Sequence, residues 1–136
     1  MFVKRNNLKR PSRRGLLSME LLITLPIFGL LLMGLLEFSL LFFARGDLVE
    51  ACRAGARTGT TQGATDTDVQ DEVLDHLSPR LQAGAQVVSD CGVNAGDVVS
   101  VQVQTPMSAA CPDLLWPIGF SLRNRYLSCE TRMLKE

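Results

Sequence analysis

The feature that most limits this chain is an apolar run near its N-terminus. Leu21 to Leu36 is sixteen residues without a charge, Glu37 interrupts, and Phe38 to Ala44 adds seven more. As a helix, Leu21–Ala44 rises about 36 Å, enough to cross a hydrocarbon core ~30 Å thick with some tilt. Pro26 lies inside the run. In water a proline ends a helix, but in a bilayer it is tolerated as a kink because neighbouring groups re-satisfy the freed carbonyl. A cleaved secretory signal is the competing reading. The run is longer than the usual apolar region of such signals, and no small-x-small site follows it, since Ala44 is succeeded by Arg45.

Net charge is zero, yet the charges are segregated. Residues 1–14 carry Lys4, Arg5, Lys9, Arg10, Arg13 and Arg14 and no acid, while the remaining 122 residues carry eight basic and fourteen acidic side chains. Basic flanks stay on the cytoplasmic side, so this pattern predicts a single-pass inner-membrane protein whose acidic body lies outside the cytoplasm. The basic arm lacks aromatic interleaving and abuts the apolar run, which argues against nucleic acid as its partner and for the lipid bilayer.

Along the chain, residues 1–15 read as a basic leader, 16–44 as a transmembrane helix and 45–136 as a periplasmic α+β domain. The helix is expected to extend through 45–60, with Gly55 and Gly59 each weakening it by roughly 1 kcal/mol relative to alanine. A second helix is expected at about 66–77, capped by Thr65 or Thr67, with Asp68, Asp71 and Glu72 in its first turns and Val69, Val73, Leu74 and Leu77 as an apolar stripe. Strands are expected at about 85–89, 97–105 and 122–133. Val99, Val101 and Val103 alternate with polar residues, the mark of a half-buried strand, and the loop chemistry of Cys91–Gly96 points to a hairpin. The segment 106–121, with three prolines and Trp116, reads as an irregular connection.

The residues with functional promise lie on the first helix. Glu20 opens the apolar run, either at the water boundary, where an acid favours a helix N-terminus, or in lipid beside a cationic partner. Glu37 either sits at the outer interface, near Phe38, Phe42 and Phe43, or pairs with Arg45 or a neighbouring chain. Arg53 and Arg57, four residues apart with Ala54, Gly55 and Ala56 between them, form either a contact surface or a solvated face packed by small residues onto the domain. Gly29, Gly34 and Ala44 permit close helix approach.

A basic leader, then Gly15, then Glu20 at the fifth position beyond it, resembles the type IV prepilin signal. That resemblance implies cleavage between Gly15 and Leu16 by a prepilin peptidase, with Glu20 meeting the free amine of a neighbouring subunit. A closer resemblance rests on Glu20 to Pro26, Gly34-Leu35-Leu36-Glu37-Phe38, Arg45 and Ala51-Cys52-Arg53-Ala54-Gly55-Ala56-Arg57. In order and spacing these resemble the TadE-like family. The resemblance implies a minor pseudopilin or accessory subunit of tight-adherence (Flp) pilus machinery, partnered by other pilin-like subunits and the assembly platform. One departure stands out: Phe usually follows the first Glu in the family, and Leu21 stands here.

Four cysteines, Cys52, Cys91, Cys111 and Cys129, show no metal-ligand spacing. In an oxidising compartment the even count points to disulfides with three connectivities open. The strand arrangement favours Cys91–Cys129, with Cys52–Cys111 as the remaining pair. No phosphate loop or nucleophile motif accompanies the single His76, and the acids of the second helix read as a solvated face. No catalytic residue, cofactor or metal is expected. An unprocessed membrane scaffold and a membrane-anchored periplasmic enzyme are the alternative functions.

Overall fold

The computed structural model describes the backbone of residues 14–136 and side chains from Ser18 onward. The basic leader up to Arg13 lies outside the described residues. The first element, α1, is one helix over Arg14–Gly59, 46 residues long, with Pro26 inside it. Among the described residues it is the one helix long and apolar enough to cross a membrane. Two compact units form: the first closes at Leu32, and the second is Met33–Glu136.

The second unit has an α+β plan. Helix α2 (Asp66–His76) begins at a capping box: the Thr65 hydroxyl receives the Asp68 N–H, and the Asp68 carboxylate receives the Thr65 N–H at 2.9 Å. The bonds from Thr65 hold the Asp68 carboxyl below its ordinary value. Ser78 and Pro79 break the helix, and a single turn, α3 (Pro79–Gln82), follows and buries Leu81. Strands β1 (Gln86–Asp90), β2 (Val98–Pro106) and β3 (Tyr126–Leu134) form one antiparallel sheet in the order β1-β2-β3.

Strand β2 lies in the centre, and its alternation decides the core: Val99, Val101, Val103 and Thr105 are buried while Ser100, Gln102 and Gln104 are not. Against this face packs a stripe of α1 composed of Ala44, Leu48, Ala51, Cys52 and Ala56, together with Val69 and Val73 of α2, then Leu77 and Leu81. Small residues on the α1 stripe let the helix lie close to its neighbours. A Cβ on Gly55 would fall 2.3 Å from a Val73 methyl, and one on Gly59 would fall 2.8 Å from a Val99 methyl. At these two glycines, costly to helix propensity, α2 and β2 lie close against α1.

The β1–β2 hairpin loop is held by Asp97, whose carboxylate accepts N–H bonds from Asn94 (2.7 Å) and Val93 (3.0 Å). These bonds depress its pKa. Lys135, beyond β3, donates to the carbonyls of Cys91 and Gly92 and so ties the C-terminal end of the chain to this loop.

The third strand starts later than its sequence implies. Leu122 is buried, but Asn124 has a φ of +59° and residues 122–125 form a turn, so pairing with β2 begins at Tyr126 opposite Pro106. The connection between β2 and β3 holds a helical turn, α4 (Met107–Ala110), and a 3-10 turn at Trp116–Ile118.

Candidate functional site

Helix α1 carries the residues singled out in the sequence, and the structure sorts them onto different faces. In the first unit Leu21, Leu22, Ile23, Leu25, Ile27 and Phe28 are each more than half exposed. Glu20 and Pro26 are exposed among them. The Thr24 hydroxyl donates to the Glu20 carbonyl one turn back. A helix apolar on all sides and left uncovered is suited to lipid or to like helices, not to water. Gly15 and Leu16 lie in the first turns of α1, so their backbone is helical.

In the second unit Phe42 and Phe43 of α1 are 72% and 74% exposed. Phe42, Arg45, Gly46, Val49, Glu50 and Arg53 line a surface groove of about 590 Å³. Arg45 and Arg53 are thereby brought to one face, and Arg57 is exposed beyond them. Gly46, which has no neighbour within 4 Å of its would-be Cβ, lines this groove and was not singled out by sequence reasoning. Its signal was present: a glycine at mid-helix, between an aromatic pair and a charged stretch, marks a place where a backbone is left bare.

Gly55 does not belong to that face. It is buried beneath α2, so its smallness serves packing inside the domain. The basic run therefore divides: Arg53 and Arg57 point outward while Gly55 and Ala56 point inward, as helical periodicity demands.

Glu37 is turned into the domain and not toward Arg45. It is 0% exposed, and Oε2 accepts the backbone N–H of Leu115 at 3.1 Å while Oε1 has no hydrogen-bond partner. The segment Cys111–Leu122 lies over it. Leu115 approaches Gly34, and Phe120 packs on Phe38 with ring centroids 5.9 Å apart. Arg125 stacks over the Phe120 ring at 5.3 Å.

All four cysteines are free thiols. The Cys91–Cys129 bridge expected from the sequence is not formed, because β1 and β3 flank β2 on opposite sides and the central strand separates the two residues. Cys129 instead neighbours Cys52 of α1, whose Sγ donates to the Val101 carbonyl at 3.2 Å and lies 3.6 Å from the Cys129 carbonyl oxygen. Burial pushes the thiols of Cys52 and Cys91 up to about 11, so both stay protonated and unreactive near neutrality. Cys111 is buried as well. Among the described residues no cluster of His, Cys, Asp and Glu is placed to hold a metal ion. His76 is exposed beside Glu72, and Asp66, Asp68, Asp71 and Asp75 are exposed on α2, a solvated face.

Two surfaces result, one in each unit: an uncovered apolar helix in the first, and in the second a groove lined by aromatic and charged side chains. A protein-family comparison bears on that same stretch. The family described as TadE-like protein matches residues 15–57. Over that stretch the chain is similar to the TadE-like family. The match takes in nearly the whole of α1 and stops two residues before its end, so the TadE-like segment supplies the uncovered helix, the groove and the core stripe, whereas the sheet lies outside it. No curated protein and no solved structure matches the chain.

Proposed function

We propose that the chain is a minor pseudopilin or accessory subunit of a tight-adherence (Flp-type) pilus or type II-like secretion apparatus. It is anchored in the bacterial inner membrane by α1, with its leader in the cytoplasm and the α+β domain on the outer side. The observation that carries this reading is the coincidence of the TadE-like match with a helix whose apolar side chains are left uncovered. Its role is structural: α1 joins the bilayer and like helices of other subunits, and the groove around Gly46 offers aromatic, basic and acidic groups to the assembly platform. In lipid, Glu20 gains a cation by meeting the free amine of a neighbouring subunit, which also sets register.

Processing at Gly15 belongs to this proposal, with the chain as substrate of a prepilin peptidase. An unprocessed single-pass scaffold is the second reading. It is favoured by one observation, the helical backbone at Gly15 and Leu16, which must open before a peptidase can reach the bond. Intact-mass measurement of membrane-extracted protein separates the two. In cells with an active prepilin peptidase the mature chain is expected to begin at Leu16, and Gly15→Arg is expected to leave it beginning at Met1. A wild-type chain that starts at Met1 in those cells refutes processing and leaves the scaffold.

A further inference from the structure

Trp116 and Ile118 are 67% and 58% exposed on the 3-10 turn of the β2–β3 connection, beside the buried Leu115. Single exposed apolar residues are ordinary on a protein surface. These two are set apart by what holds them. The segment Cys111–Leu122 is fastened to α1 at Gly34, Glu37 and Phe38 through Leu115 and Phe120. Its depth in a membrane therefore follows from the depth of that part of the helix.

That depth is constrained. A hydrocarbon core ~30 Å thick takes about 20 helical residues. Counted from Leu16 the span ends near Leu35; counted from Leu21 it ends near Leu40. Either way Gly34–Phe38 lies within about two helical turns of the outer end of the span, and a segment packed beside it lies at the bilayer surface. Leu35, Leu36, Phe42 and Phe43, in the same unit, are exposed and apolar on either side of the attachment point.

We propose that the connection Cys111–Leu122 seats in the outer interfacial layer of the membrane, with the Trp116 ring and the Ile118 side chain against the boundary between head groups and acyl chains. This rests on the reading of α1 as a membrane anchor. The chemistry of the segment fits a boundary. Tryptophan has an apolar body and one N–H donor and concentrates at that level. Irregular backbone is costly near lipid unless its polar groups are satisfied, and Glu37 supplies the acceptor for Leu115 where the segment meets the helix. Arg123 and Arg125, both exposed just beyond, are placed to reach phosphate head groups. Within the segment the Asp113 carboxylate accepts the Ser121 hydroxyl at 2.9 Å, which closes the loop on itself.

The chain has one tryptophan, so its fluorescence reports on this position alone. The full chain is reconstituted into vesicles of phosphatidylcholine and phosphatidylglycerol, and flotation is read first. In vesicles brominated on the acyl chains just below the head groups, Trp116 emission is expected to shift to the blue and lose roughly half its intensity or more, while aqueous iodide quenches it weakly. Flotation with the vesicles but quenching by iodide alone overturns this proposal and leaves the anchor intact. Flotation with shielding from both quenchers, relieved when the protein is diluted in lipid, also overturns it and assigns the segment to a second copy. Failure to float with vesicles overturns the anchor and this proposal together.

Discussion

Replacing Glu37 with alanine is expected to release the Cys111–Leu122 connection from α1 while the sheet stays folded. The substitution removes the acceptor for the Leu115 N–H, which is buried, and opens a cavity where a fully buried side chain stood. An orphaned buried donor costs roughly 1–3 kcal/mol, and the cavity adds to it. A loss of about 2 kcal/mol corresponds to ~30-fold faster exchange of the Leu115 amide where local opening governs exchange. Glu37→Gln keeps an oxygen acceptor in the same volume, so its exchange is expected to remain near that of the parent. Hydrogen exchange of the detergent-solubilised chain, followed by peptide mass, reads both. Equal protection of the 111–122 peptides in the parent and the alanine variant would show that the Glu37 contact does not hold this segment.

The second large effect is at Gly55. Leucine there must occupy space already filled by Val73 and Val69, both fully buried, with the first added carbon 2.3 Å from a Val73 methyl. Overpacking of a tight core costs typically 1–3 kcal/mol. Here the obstruction lies between two helices, so Gly55→Leu is expected to reach about 3 kcal/mol and to undock α2. Gly46→Ala is the matched control. It places a methyl where nothing lies within 4 Å and removes a mid-helix glycine, so it is expected to be neutral or to stabilise by up to ~1 kcal/mol. Denaturant unfolding of the detergent-solubilised chain, followed by circular dichroism, measures both. A Gly55→Leu midpoint equal to that of the parent would mean that α1 and α2 are not packed as described.

These two residues also mark how far the sequence could be read. The apolar run, the α2 cap at Thr65 and the alternation of Val99, Val101 and Val103 are local signals, each set by hydrogen bonding or by side-chain period within a few residues. Those elements were legible for that reason. The fate of Glu37 was decided by Leu115, 78 residues away, and no local pattern announces such a partner. One signal did exist. Glu37, Leu41, Ala44, Leu48 and Cys52 recur at spacings of four, three, four and four, so Glu37 falls on the stripe that packs inward. Its charge directs attention to the membrane interface or to Arg45, whereas periodicity points into the domain.

The cysteines failed for a related reason. Which thiols meet depends on strand order, and the sheet order with β2 in the middle separates Cys91 from Cys129 while bringing the latter to α1. The start of β3 was misplaced because Leu122 reads as a strand residue, whereas the positive φ at Asn124 makes the surrounding residues a turn. Among the candidate site residues, Arg45 and Arg53 were gathered on one groove, but Gly46, which also lines it, lacks a side chain to draw notice.

The anchored arrangement makes one demand on the molecule: the leader and the sheet must be on opposite sides of a bilayer that α1 crosses. Protease added to intact spheroplasts expressing the chain with an epitope after Glu136 examines this directly. The account predicts that the epitope is lost without lysis while a cytoplasmic marker survives, and that the untreated chain leaves the membrane only with detergent. An epitope spared until the cells are lysed, or a chain recovered in the soluble fraction, would contradict it.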